Sequence, residues 1–131
     1  MLPCNCGLNK SYSDCCGQYI SGKKKPTTPE QLMRSRYTAY SKANISYIKK
    51  TMQGSALVGF NEINALLWAK SVAWQNLEVL NTFTELTTNQ RGFVEFIATF
   101  SEHGEVKTMH EISEFHFIKG SWFYVDGRVM D

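Results

Sequence analysis

With 131 residues, 43% of them apolar and 13% aromatic, the chain has material for one ordinary domain with its own core plus a small appendage. The balance of 14 lysines and arginines against 12 acids is too even to point to nucleic acid or an anionic membrane as an obligatory partner. No stretch approaches the roughly 20 apolar residues of a membrane span, and Met1-Leu2-Pro3-Cys4 carries neither the charged nor the apolar region of a secretory signal, so the expected compartment is the cytoplasm.

All four cysteines, Cys4, Cys6, Cys15 and Cys16, fall within the first 16 residues. Two apart on an extended segment, Cys4 and Cys6 direct their sulfurs to one side, and a return of the chain lets Cys15 and Cys16 face them. Four thiolates can then surround one tetrahedral Zn²⁺ at about 2.3 Å, a closed shell with no position for water and therefore structural, not hydrolytic. Iron also accepts four thiolates. Free or disulfide-paired cysteines are the readings without metal, and a reducing cytoplasm disfavours the disulfides. So short a segment buries too little apolar surface to fold alone, and the metal is expected to be its folding device. Lys10 and the run Lys23-Lys24-Lys25 either offset the thiolate charge or form a solvated linker.

The stretch "ISGKKKPTTP" has linker composition, which places a boundary near Lys25 and divides the chain into 1–25 and 26–131. Thr28-Pro29-Glu30-Gln31 is a helix start, with Thr28 as cap, Pro29 at the first position and Gln31 as the reciprocal acceptor. That helix is expected to reach about Ala43, with Leu32, Arg36, Ala39, Tyr40 and Ala43 on one face and Met33 and Tyr37 beside them. Asn44 caps a second, short helix that buries Ile45, Ile48 and Met52. A loop is expected from Gly54 to Gly59, and Asn61 opens a third helix with Ile63, Leu66 and Leu67 inward.

From Val72 the hydrophobic period changes to two. The first strand alternates Gln75, Leu77, Val79, Asn81 and Phe83 against Trp74, Asn76, Glu78 and Leu80, and the second puts Val94, Phe96, Ala98 and Phe100 on one face. Gly104 and Lys119-Gly120 then turn the chain into two further strands. The predicted fold is α+β: N-terminal helices packed on a curled four-stranded antiparallel sheet, a cystatin-like cone preceded by the small zinc-binding segment.

The pattern C-x-C-G-x4-Y-x2-C-C-G, carried by Cys4, Cys6, Gly7, Tyr12, Cys15, Cys16 and Gly17, resembles the SEC-C zinc motif at the tail of the bacterial preprotein-translocation ATPase. The rest of the chain resembles the YchJ family through "LMRSRYTAY", "YIKKT", Trp74, Leu77, Val79, "GFVEFIATF", Glu111, Ser113, Phe115 and "WFYVDG". The resemblance implies a SEC-C segment followed by a domain like nuclear transport factor 2, with zinc on the four cysteines, and it implies no activity. Leu8-Asn9 stands where the motif usually has Ser-Gly, which should alter the loop but not the ligands. The second SEC-C segment that some members carry after Asp126-Gly127 does not occur in these 131 residues.

Inside the cone, the candidate residues are Arg34, Arg36, Tyr37 and Tyr40 on the first helix and Glu111 and Asp126 on the last strands. Parity puts Met109, Glu111, Ser113, Phe115 and Phe117 toward the helices and His110 and His116 outward. A buried carboxylate needs a partner, so Arg34 or Arg36 is expected to pair with Glu111 and tie helix to sheet, Arg36 being favoured because it shares the face of Leu32, Ala39 and Tyr40. Trp68, Trp74 and Trp122 are expected in the core or at its rim. The leading functional expectation is a cytoplasmic zinc-binding accessory protein, with the zinc segment contacting a protein partner and hinged to a cone that pairs with a second copy or holds a small ligand. The alternative is a small-molecule enzyme, isomerase-, dehydratase- or hydrolase-like, with Glu111 or Asp126 as base and an arginine as anion anchor.

Overall fold

The computed structural model describes residues 3–85 and 90–130. A 3-10 turn, Tyr12–Asp14, and a short helix α1, Cys16–Ile20, precede α2, Pro29–Ser41, α3, Ile45–Lys50, α4, Gly54–Val58, and α5, Glu62–Ser71. Four strands follow, β1, Val72–Glu85, β2, Arg91–Glu102, β3, Glu105–Ile118, and β4, Ser121–Val129. They form one open antiparallel sheet in sequential order, and the helices pack against it in the expected α+β layout. No helix among the described residues is long and apolar enough to cross a membrane.

The helix starts follow local capping chemistry. Thr28 Oγ1 accepts the Gln31 N–H at 3.1 Å, Asn44 Oδ1 accepts that of Tyr47 at 3.1 Å, and Asn61 Oδ1 accepts that of Asn64 at 2.9 Å. Gln31 reciprocates one residue earlier than a capping box requires, taking the N–H and hydroxyl of Thr27 instead of the N–H of Thr28. Helix α2 stops at Ser41, two residues before Ala43, because Ala43 takes a left-handed φ of 55°. The Asn44 N–H then closes on the Ala39 carbonyl at 2.8 Å.

The elements after α3 depart from expectation in two places. Residues 54–58 form helix α4 instead of a loop, entered through Gly54 at φ 67°. Helix α5 is rotated, so that Ile63 and Leu67 are exposed, Leu66 is half-buried and Ala69 is buried. The physical reason is Trp68, whose ring meets those of Tyr40, Trp74 and Phe100 at centroid distances of 5.9, 5.1 and 5.9 Å. An indole has more apolar area to bury than an aliphatic side chain and takes the inward position.

Strand β2 alternates as expected, with Val94, Phe96, Ala98 and Phe100 buried. Strand β1 does not keep its parity. Irregularities between Trp74 and Asn76 and between Val79 and Asn81 each shift the facing set by one residue. The first brings Trp74 and Leu77 to the helix side together, and the second turns Phe83 outward, where it is exposed against Phe93. The core is the layer between α2 and the sheet, built on Leu32, Met33, Tyr37, Val94, Phe96 and Phe115.

Helix and sheet meet closely at the start of α2, where Pro29 lies on Gly92; a Cβ at Gly92 would overlap the Pro29 ring. We therefore predict that Gly92→Ala costs about 1–3 kcal/mol by overpacking. Urea melts should show a lowered midpoint with an unchanged m-value.

Candidate metal centre and cone cavity

An isolated antiparallel bridge between Pro3 and Ser11, with the Cys4 N–H on the Lys10 carbonyl at 2.6 Å, closes the first loop. Gly7, at φ 95°, makes the turn inside it. The chain returns through the 3-10 turn to Cys15 and Cys16, and Gly17 lets this return pass close to Tyr12, whose carbonyl a Cβ would meet at 2.7 Å. The four sulfurs consequently lie within 4.8 Å of one another, all on buried residues and none in a disulfide.

The donor set fits a thiophilic metal ion. Sulfurs at the corners of a tetrahedron with 2.3 Å metal bonds are about 3.8 Å apart, and Cys6 Sγ and Cys15 Sγ are separated by 3.6 Å. In the absence of a cation the sulfurs cannot all ionise. The contact with Cys16 holds the Cys6 thiol down at about 5, while burial pushes Cys15 up to about 12 and the contact with Cys6 raises Cys16 still further. A dication would relieve that frustration and let the cluster deprotonate.

The segment is docked on α2, which a free hinge would not give. Arg34 Nη1 donates to the Cys6 carbonyl at 2.6 Å while its Nε holds Glu30 at 2.9 Å. Asn5 Nδ2 donates to Ser41 Oγ at 2.9 Å, Cys4 Sγ lies 3.7 Å from Thr38 Oγ1, and Lys42 Nζ sits 4.4 Å above the Tyr12 ring. Arg34 therefore belongs to the cysteine segment and does not line the cone, a correction to its expected place. Thr38 and Ser41 had carried no sequence signal for this docking.

On the opposite side of α2 a cavity of about 580 Å³ opens between helices and sheet. Arg36, Tyr37, Tyr40, Glu111 and Asp126 all line it. Asn61, Asn64, Phe60, Ser113 and Tyr124, which the sequence reading had not proposed, complete its polar and aromatic wall. Glu111 faces inward from β3 as parity required, whereas His110 and His116 are outside, bonded at 2.7 Å to Glu95 and Glu114.

The expected Arg36–Glu111 pair does not form. Arg36, 5% exposed, donates through Nη1 to the Ile48 carbonyl at 2.8 Å and Thr51 Oγ1 at 2.7 Å, and its guanidinium stacks 4.5 Å from the Tyr124 ring centre. Glu111 Oε2 instead accepts from Ser113 Oγ at 2.6 Å and from the Tyr124 hydroxyl at 3.5 Å. Tyr124 thus touches both groups, Arg36 on its ring face and Glu111 through its hydroxyl. Burial pushes the Arg36 guanidinium below its usual value and the Tyr124 phenol above its own.

A buried cluster of four cysteines docked on an α+β cone defines a protein of the nuclear transport factor 2-like class with an N-terminal cysteine segment. The family model described as "YchJ, middle NTF2-like domain" matches residues 28–127. A UPF0225 protein of Geobacter sulfurreducens is 40% identical over 124 residues, covering 95% of this chain and 77% of its own. The solution structure of a SEC-C motif containing protein from Rhodopseudomonas palustris superposes with a TM-score of 0.88 at 34% identity, over 99% of this chain and 100% of that one. The crystal structure of another, from Psychrobacter arcticus, gives 0.86 at 29% identity over 100% and 84%. The chain belongs to the YchJ family, UPF0225.

Because Arg36 is held by backbone and hydroxyl acceptors and not by Glu111, Arg36→Met should cost about 1.5–3 kcal/mol from lost charged hydrogen bonds. Combining it with Glu111→Gln should leave only a small coupling, below about 1 kcal/mol and carried by their shared neighbour Tyr124. Denaturant melts of both singles and the double check this, and a coupling above about 1 kcal/mol would indicate a direct pair.

Proposed function

We propose that the chain is a zinc-binding accessory protein of the cytoplasm, in which Cys4, Cys6, Cys15 and Cys16 hold one structural zinc and the folded segment offers its outer surface to a protein partner. The observation that carries this reading is the closed set of four buried sulfurs within 4.8 Å of one another. Zinc, when bound, would cross-link the two halves of the segment without redox chemistry and with no coordination position left for a substrate. The outer surface suits an acidic partner: Lys10, Lys23, Lys24 and Lys25 are exposed and Asp14 is the single acid among residues 3–25.

The cone supports a second reading, a site for a small molecule. Its specific observation is that a buried guanidinium and a carboxylate line one cavity without pairing.

Protein purified without added metal is expected to carry close to one zinc per chain by elemental analysis. Cys15→Ser should lose the metal and lower the thermal midpoint of the whole chain, because the segment shares α2 with the cone. Four freely titrating thiols and no metal in the purified protein would contradict the reading.

A further inference from the structure

We propose that the cone cavity binds a small amino-acid-like zwitterion, its carboxylate on Arg36, its ammonium on Glu111 and its apolar body against Trp68 and Trp74. This rests on the second reading above and specifies its ligand class.

The first support is what Arg36 leaves unused. Among the described residues its hydrogen bonds run through Nη1 alone, and no carboxylate lies within 4 Å of it. A guanidinium has five N–H donors in a planar fork, so Nε and Nη2 carry donors with no protein acceptor. The residue is nevertheless 95% buried, since only 5% is exposed, and it lines the cavity. Neither nitrogen is sealed from the cavity, and a carboxylate matches the geometry of the open fork.

The second support is Glu111. Both of its protein hydrogen bonds fall on Oε2, from Ser113 and Tyr124, and Oε1 accepts none among the described residues. Gly127 preserves this arrangement, because a Cβ there would overlap the Tyr124 hydroxyl and approach Glu111 Oε2 to 2.6 Å. An unspent acceptor and unspent donors therefore lie on the wall of one cavity.

The sign pattern selects between ligand charges. A simple anion would meet Arg36 but also Glu111 and the rim carboxylate of Asp126, and a simple cation would meet Arg36 as a repulsive neighbour. A zwitterion satisfies both. Its body has an aromatic wall to lie on, with Trp68 and Trp74 at 5.1 Å between ring centres and Tyr40 at 5.9 Å from Trp68. The Trp74 indole N–H, in that same wall, is buried without a hydrogen-bond partner. A volume of about 580 Å³ lies within the ordinary range for small-molecule sites.

The test titrates the full chain with three probes of one shape: L-phenylalanine, 3-phenylpropionate, which lacks the ammonium, and 2-phenylethylamine, which lacks the carboxylate. The indole N–H signals of Trp68 and Trp74 are the reporters in a ¹H–¹⁵N correlation spectrum. Trp122 is the internal reference, since its Nε1 donates to the Thr27 carbonyl at 3.2 Å and it lies outside the cavity. L-phenylalanine should shift the two reporters saturably and leave Trp122 in place, with each truncated probe at least about tenfold weaker. Glu111→Gln, which leaves the anchoring bonds of Arg36 intact, should weaken L-phenylalanine by a similar factor while tightening 3-phenylpropionate, a crossover that a structural role of Glu111 would not produce. Ala65→Phe, on the cavity wall of α5, should abolish binding with the Trp122 signal unchanged.

A truncated probe that binds as tightly as L-phenylalanine, still blocked by Ala65→Phe, overturns the zwitterion and leaves the small-molecule site standing. Reporters that none of the three probes moves at about 10 mM, a concentration that would reveal even millimolar affinity, overturn the proposal and the second reading together.

Discussion

Helix α2 has almost no side left for water, and the rest of the molecule is arranged around that constraint. Pro29, Leu32, Met33, Ser35, Arg36, Tyr37, Thr38 and Ala39 are all buried on it. An isolated helix of 13 residues is marginal in water, so α2 depends on the surfaces that cover it. The sheet supplies one through Val94, Phe96 and Phe115, α3 another through Tyr47 and Ile48, and the cysteine segment a third. Buried polar side chains on α2 bond to these neighbours where they meet them. Ser35 Oγ donates to the Leu32 carbonyl and lies 2.7 Å from the Tyr47 hydroxyl, and Arg36 donates to the Ile48 carbonyl of α3 and the Thr51 hydroxyl that follows it.

This arrangement joins the two functional halves. Arg34 and Arg36 are two residues apart, which on a helix puts them on different faces. One carries the Cys6 carbonyl of the metal segment, and the other faces the cone cavity. The cysteine segment is thus part of the support of the helix that presents Arg36 to the cavity.

What could be read from the amino-acid order was what local chemistry decides. Thr28, Asn44 and Asn61 announce their helices because a cap acts on N–H groups two or three residues away. Strict alternation in β2 and β3 placed Phe96 and Glu111 inward and His110 outward, as observed. What depended on competition between distant groups was not legible. Nothing near Gln75 or Leu80 signals the two irregularities of β1, which arise from pairing with β2. The roll of α5 is decided by three aromatic rings elsewhere in the chain, and the missing Arg36–Glu111 pair by Ile48, Thr51, Ser113 and Tyr124, which take up the two groups separately. Arg34 looked like a cone residue only because the docking of the cysteine segment is a tertiary event between residues 28 positions apart.

The central claim is that four sulfurs, and nothing else, close one zinc and so hold the segment on α2. X-ray absorption at the zinc K-edge of the protein as purified measures that shell directly. The account predicts four sulfur scatterers at about 2.3 Å and no nitrogen or oxygen neighbour. A shell with one or more light ligands at about 2.0–2.1 Å would contradict it, because an open position would make the site chemical instead of structural.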